Sequence, residues 1–406
     1  MKKIIALVLS LGMIVCMLAA CGGSASTEQP AESQAAEGGA PAAEAPASTL
    51  DGTWPAETVK IGVVTFDTSD ENYLGVQEYY ESLKKSFNVE FMYSESIADA
   101  DAEFKFIDAC AAAGCKGIIA YYNVAGAESM KAATSKGMYY WGTEQYYDDM
   151  KNDPYYAGCY TFTDPADPTG MNGDYLGGYE LGYAMGKQGR KHVVFCSGGA
   201  AFGVQMFIDR QDGFFAGIAA AQAEGSDIVC DPEKDVIAGW PGTDEFSAAQ
   251  TAALAADYDA VASSFNVAMW FQPVMESGKD IKLASIGRVG DTYKGFVDMG
   301  VVTALVYDCE ETVFGVAIPN ILNSITGHTE LVRNEDGTAL CNYTQRWAVT
   351  DAESFGKIYD YHAEGKFFVS PEELAAVCGD LNPDATLQDV VDTYNLSLED
   401  ALAKIK

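Results

Sequence analysis

The sequence predicts an α/β protein made of two similar lobes, each a parallel sheet flanked by helices. From residue 59 onward, short apolar runs rich in β-branched residues alternate with amphipathic helical stretches. The alternation falls into two series, with the polar turn Asp164-Pro165-Ala166-Asp167-Pro168 near the start of the second. The chain from about Trp54 is also long enough for two domains with cores of their own.

Residues 59–66 (Val-Lys-Ile-Gly-Val-Val-Thr-Phe) read as a strand covered on both faces. A polar turn over 67–72 leads to a helix over 73–86 and a strand over 89–93. A helix over 102–113, stopped by Gly114, a strand over 116–122, a helix over 125–135 and a strand over 138–142 complete the first lobe. The second series begins with a strand over 157–162, a helix over 174–187 and a strand over 192–196. Gly198-Gly199 makes a turn before a helix over 204–222, followed by a strand at 228–229 and a helix over 246–256. A strand over 260–263, a helix over 267–276 and a strand over 281–286 close the series. Strands alternating with helices imply parallel sheets and right-handed crossovers.

Open α/β sheets bind ligands beyond the carboxyl ends of their strands, and two facing lobes turn those ends into a cleft. The residues there include Phe66, Asp67, Tyr122, Asn123, Trp141 through Glu144, Ser197, Phe265, Asn266, Arg288, Asp291, Tyr307 and Asp308. Rings mixed with carboxylates, amides and a guanidinium suit a neutral polyhydroxylated ligand, stacked by its CH face and held by its hydroxyls. The candidate contacts from this reading are Phe66, Asp67, Asn123, Trp141, Glu144, Asn266, Arg288 and Asp308.

The leading segment gives an address. Lys2 and Lys3 precede the apolar run 4–18, and Leu18-Ala19-Ala20-Cys21 follows. This reads as a secretory signal over 1–20 and resembles a bacterial lipobox, which implies lipidation at Cys21. Residues 24–48 are almost wholly Ala, Glu, Gly, Ser, Pro and Gln, so 21–53 is expected to be a flexible tether. No later apolar run is long enough to cross a bilayer.

The formal net charge is −34, and removing 1–20 takes away two lysines and no acids, leaving −36. That excludes a basic stripe for nucleic acid and disfavours electrostatic binding to anionic lipid. Cys110, Cys115, Cys159, Cys196, Cys230, Cys309, Cys341 and Cys378 are scattered, form no Cys-x-x-Cys and read as buried thiols. One or two disulfides remain open in an exported protein, with no pairing legible. Three histidines give a zinc cluster little to build on, so neither metal nor cofactor is expected. No nucleophile elbow, His-Glu-x-x-His or phosphate-binding loop occurs, and the expectation is not an enzyme.

Over residues 59–328 the chain resembles the periplasmic-binding-protein type I superfamily, in particular its sugar-binding, ribose-binding-protein-like branch. Arg210-Gln211-Asp212-Gly213-Phe214 is similar to the family's Arg-x-x-Gly-Phe, whose arginine reaches sugar hydroxyls. Asp174 with Leu176-Gly177-Gly178 is similar to its Asn-x-x-Gly-Gly helix start. Asp308 falls where the family places a cleft-facing polar residue. The resemblance therefore adds Asp174 and Arg210 to the ligand-binding set. It implies two Rossmann-like lobes joined by a three-segment hinge near 161–165, 308–311 and 338–345. The lobes expected are 54–163 with 309–337, and 164–308 with 338–406.

The sequence also departs from that pattern. Gly287-Arg288-Val289-Gly290-Asp291 stands where the family has Gly-Phe-Asp, and Ser264-Phe265-Asn266 where it has Asn-Asp. An arginine in the cleft favours a ligand carrying carboxylate or phosphate. Residues 353–406 extend beyond a minimal member, with a capped helix start at Ser370-Pro371-Glu372-Glu373, and are expected on the second lobe. The implied function is an extracellular, lipid-anchored solute-binding protein that closes on a sugar-like ligand and presents it to an ABC transporter permease. Two alternatives stay open. Nucleoside carriers of the basic-membrane-protein type share lipobox, tether and fold, and Phe66, Trp141, Trp240 and Trp270 suit a purine. A sensor presenting its closed form to a receptor uses the same hinge.

Overall fold

A computed structural model describes residues 50–143, 146–165 and 171–405. The expected signal, Cys21 and most of the tether lie outside the described residues, as does Glu144.

The first series forms β1 (Val59–Val64), β2 (Val89–Tyr93), β3 (Gly117–Ala120), β4 (Tyr139–Trp141) and β5 (Tyr156–Thr161). The second forms β6 (Val193–Gly198), β7 (Val236–Ala238), β8 (Ala260–Ser263), β9 (Lys282–Ile286) and β10 (Val302–Tyr307). Two late strands, β11 (Cys341–Tyr343) and β12 (Trp347–Val349), return to the first and second sheet respectively. The orders are β11-β5-β4-β3-β1-β2 and β12-β10-β9-β8-β6-β7. Apart from the antiparallel β10–β12 pair, every pairing between these strands is parallel. Strands β3, β6 and β8 are buried at every position, which is why they read as continuous apolar runs rather than alternating ones.

Local chemistry moves several boundaries. Helix Glu71–Leu83 starts earlier than expected because the Asp70 carboxylate accepts from the Tyr73 backbone N–H at 2.8 Å. The strand expected at 228–229 is a single bridge between Val229 and His192, and the edge strand is β7. The buried Asp235 carboxylate, which accepts from the Asp231 N–H and the Tyr258 hydroxyl at 2.7 Å each, fixes the turn that feeds β7. The third passage between the sheets runs through residues 344–346, so 338–343 belongs with the first sheet and not with the second lobe.

The carboxy-terminal extension also differs from expectation, because it packs on both lobes. Phe355 and Ile358 of helix Ala352–Ala363 share a core with Trp347 and Val349 of the second lobe. Phe367 then meets Tyr79 of the first lobe with ring centroids 5.1 Å apart. Asn323, on first-lobe helix Ala317–Thr326, donates to the Val377 carbonyl at 2.8 Å and accepts from the Gly379 N–H at 3.0 Å. Leu396 and Ala401 bring the chain back to the second-lobe core.

One helix pair positions the expected site. Helices Gly173–Lys187 and Gln205–Ala223 touch backbone to backbone along a seam of glycines. A Cβ at Gly178 would lie 1.9 Å from the Arg210 carbonyl oxygen, and one at Gly213 1.9 Å from that of Tyr175. Gly182 and Gly217 repeat the contact one turn on, at 2.2 and 2.1 Å from the carbonyl oxygens of Phe214 and Tyr179.

Such contacts leave no room for a methyl group. Gly178→Ala and Gly213→Ala are each expected to lower stability by about 2 to 3 kcal/mol in denaturant titrations. Gly295→Ala, on an open helix face where a Cβ meets nothing within 4 Å, should be neutral or slightly stabilising.

Candidate functional site

The chain passes between the sheets three times, each time from the carboxyl end of a strand: after β5, β10 and β11. Tyr343 pairs with Thr161 at the end of β5, and Trp347 pairs with Tyr307 at the end of β10. Four residue steps separate Tyr343 from Trp347 and span at most about 14 Å. The carboxyl edges of the two sheets are therefore held close together.

All three passages meet at Arg346, which lies in the third. Its Nε donates to Asp308 Oδ1 of the second passage at 2.8 Å. Its Nη1 donates to the Gly173 carbonyl and, at 3.3 Å, to Asp174 Oδ1, where the first passage ends. Phe162, from the start of that passage, lies against the guanidinium with its ring centroid 4.0 Å from Cζ. Asp174 Oδ1 also accepts from Arg210 Nε at 2.8 Å, and Arg210 Nη1 donates to the Ser264 carbonyl at 2.8 Å. Burial alone would raise the Asp174 carboxyl, but Arg210 and Arg346 outweigh it and hold the group below its ordinary value.

Asp174, Arg210 and Asp308, expected from the sequence, are thus brought into one network by a residue that sequence reasoning missed. A signal was present. Arg346 is one of only five arginines and falls one residue beyond the expected third crossing.

The other expected residues divide by what their side chains already do. Phe66 is 40 % exposed and its ring lies 4.5 Å from that of Tyr122, itself 48 % exposed, at the ends of β1 and β3. The loop carrying Tyr122 is pinned beneath. Asn123 Nδ2 donates to the hydroxyls of Tyr140 and Tyr147 at 2.9 and 3.0 Å. Buried Glu103 accepts from the N–H groups of Val124 and Ala125 at 2.8 and 2.9 Å. Asp67 Oδ1 accepts from the Ser69 N–H at 2.8 Å, and Asn266 Oδ1 from the Ala268 N–H at 2.7 Å, so both carbonyl-type groups close their own turns. Trp141 is fully buried beside Tyr160 and presents no face to a ligand; Trp270 is equally enclosed in the second-lobe core.

On the second lobe the partly buried rings beyond β7 and β8 are Trp240 and Phe265. Their centroids lie 5.4 Å apart, and both pack on Phe207, at 5.0 and 6.2 Å. Arg210 Cζ lies 5.6 Å from the Phe207 ring, so the aromatic cluster adjoins the charge network.

Arg288 stands apart. Its Nε meets Glu310 Oε1 at 2.8 Å, out of line for a hydrogen bond, and Glu78 lies 3.6 Å away. Burial pushes the Glu310 carboxyl up to about 7, with Arg288 offsetting part of the shift and Glu311 adding to it. In Glu311 burial is overcome by His362 at 2.8 Å and by the Phe368 N–H at 3.0 Å, which hold it down to about 2. Arg288 lines a pocket of about 320 Å³ with Glu71, Glu78, Thr292, Tyr359 and His362. The Thr292 hydroxyl donates to the Glu71 carboxylate across it, joining second lobe to first. Arg288 is therefore matched by carboxylates rather than left open for an anionic ligand.

No protein-family model matches the chain, and no curated protein does. Solved structures do match. An ABC transporter periplasmic solute-binding protein from Actinobacillus succinogenes 130z with bound D-allose is 14% identical, with a TM-score of 0.52, over 73% of this chain and 99% of that one. A galactofuranose-binding protein is 16% identical, with a TM-score of 0.54, over 75% and 99%. The binding-protein component of an arabinose ABC transporter from Shewanella sp. ANA-3, bound to α- and β-L-arabinofuranose, is 18% identical, with a TM-score of 0.53, over 76% and 96%. The fold is that of the type I periplasmic binding proteins. About a quarter of this chain has no counterpart in these neighbours.

Replacing Arg346 by Ala leaves two largely buried carboxylates without their shared cation and is expected to lower stability by about 3 kcal/mol, read by denaturant titration at neutral pH. Arg346→Lys should recover only part, because an ammonium lacks the guanidinium fork. Glu310 gives a separate, pH-dependent expectation. Its folded value, about 7, lies above the unfolded value of 4.5. Its contribution is therefore present below about pH 4.5 and lost as pH rises through about 7. The raised His362 works in the same direction. The melting temperature should fall between about pH 5 and pH 8, and Glu310→Gln should flatten that fall.

Proposed function

We propose that this protein is the solute-binding component of an ABC importer. It is a lipoprotein held at the outer face of the membrane through Cys21, and it captures a neutral polyhydroxylated molecule, a sugar or sugar derivative, between its lobes. The observation that carries this reading is the placement of rings at the carboxyl edges of both sheets, exposed on the first lobe and partly buried on the second, with the Asp174–Arg210 pair beside the latter. Asp174 Oδ2 and Arg210 Nη2 have no hydrogen-bond partner among the described residues, so one accepts from and the other donates to ligand hydroxyls. Phe66 and Tyr122 from one lobe, and Trp240 and Phe265 from the other, stack on the apolar faces of the ring.

Charge balance favours a neutral ligand. Arg210 and Arg346 face Asp174 and Asp308, while Arg288 faces Glu310. Glu78 lies 3.6 Å from Arg288 as well, so each of these guanidiniums faces carboxylates of the protein itself. The sugars named for the structural neighbours agree with this reading, and the lipobox-like start of the sequence supports a cleft outside the cell. Phe66, Asp174 and Arg210 are the proposed contacts, whereas Asp308 acts through Arg346 on the hinge.

The test begins with mass spectrometry of small molecules released on denaturing protein purified from its native host. Calorimetric titration of that molecule into Arg210→Ala and Phe66→Ala follows. Each variant is expected to bind about 1 to 3 kcal/mol more weakly while remaining folded. A nucleoside in the released fraction would transfer the rings to a base and remove the sugar reading. Unchanged affinity in both variants would remove the site.

A further inference from the structure

We propose that Cys159 and Cys341 are a modification site: in the exported protein they join as a cystine that clamps the edge strand β11 to β5. The two residues are direct partners in the parallel β5–β11 ladder, and their sulfurs lie 3.1 Å apart although 182 positions separate them in the chain. Neighbouring strands place partner Cα atoms about 4.8 Å apart, inside the ~4.4 to 6.8 Å that a cystine spans. The backbone tightens the approach. Gly158 has φ +106°, and a Cβ there would lie 2.3 Å from the Leu340 carbonyl oxygen, which accepts from the Cys159 N–H at 3.1 Å.

The position matters because β11 is three residues long and pairs with one strand only. Its ladder continues for one bond, from the Thr344 N–H to the Thr161 carbonyl at 2.9 Å, and then the chain leaves for the second sheet. Both strands feed interlobe passages, so a covalent tie two residues before each departure confines bending to the residues beyond Thr161 and Tyr343.

The chemistry follows from exposure. Cys341 is partly exposed and Cys159 is buried. The Cys341 thiolate attacks a small-molecule disulfide, forms a mixed disulfide and releases one thiolate. The Cys159 sulfur then attacks Cys341 Sγ, closing the protein cystine and releasing the second. Two electrons pass to the oxidant, and the two cysteine protons end on its two thiols. The oxidising compartment rests on the export proposed above, whereas the pairing itself does not.

The full chain is treated with oxidised glutathione, unfolded, alkylated and mapped by peptide mass spectrometry without reduction. The expected result is a linked pair of peptides containing Cys159 and Cys341, two fewer alkylated thiols, and reversal by dithiothreitol. The oxidised protein should melt several degrees higher than the reduced one, and Cys341→Ser should lose that shift; Cys159→Ala serves if the serine variant does not fold. Full alkylation of both residues after oxidation, or a link confined to Cys110 and Cys115, overturns the proposal. Mapping the unmutated chain decides it whether or not any sugar binds.

Discussion

A guanidinium holds five donors in one plane and keeps its charge at any physiological pH, so a single buried arginine can serve several distant segments at once. Arg346 does this for the passages between the lobes, reaching Asp308 in one and Gly173 and Asp174 at the end of another, with Phe162 beneath it. The network it forms with Asp174, Asp308 and Arg210 contains two positive and two negative groups, so it is neutral as a unit. That balance of charge is what allows its members to sit at 7 to 18% exposure. Most of its members belong to the second lobe or its border, and Phe162 is the element that reaches it from the first. The Phe162–Arg346 contact, a flat ring against a flat cation, thus links this network to the first lobe without a hydrogen bond.

The glycine seam sets the other half of the geometry. Asp174 and Arg210 lie on different helices and meet at 2.8 Å, and those helices approach closer than any side chain between them permits. Four glycines remove the obstruction, so the pair is fixed by backbone packing. The motifs read along the sequence as Leu-Gly-Gly and Arg-x-x-Gly-Phe are thus two sides of one contact.

The parts legible in the sequence were those written over many residues. Strands such as β3, β6 and β8 announce themselves through uninterrupted apolar runs, whereas the caps at Asp70, Asn172 and Thr243 went unread and start their helices one or two residues earlier than expected. β11 and β12 carry three residues each, too few for a period, and their pairing is decided by tertiary contact alone. Position at a strand end identified Phe66 as worth inspecting, and the resemblance identified Arg210, yet a strand-end position does not say which way a side chain turns. Trp141 turns into the core, while Asp67, Asn123 and Asn266 bond to their own or neighbouring loops, as short polar side chains at strand ends tend to do. Arg288 read as an invitation to an anion because its buried partner Glu310 lies in another passage, 22 positions downstream and on no shared element.

The carboxy-terminal extension is fastened to both lobes in turn. Residues around 371–394 ride on the first lobe, through Asn323 and through His328 bonded to Asp380 at 2.8 Å, whereas the flanking helices ride on the second. The links between these blocks are tied at the passages themselves. The Phe368 N–H donates to Glu311, the Thr344 hydroxyl to the Tyr394 carbonyl at 3.0 Å, Gln345 to Asn395 at 3.1 Å, and Trp347 Nε1 to the Leu396 carbonyl at 2.8 Å. The extension and the buried Glu311–His362 pair are thus fastened where the chain crosses from one lobe to the other, so the tail adds hydrogen bonds and an ion pair to the passages themselves.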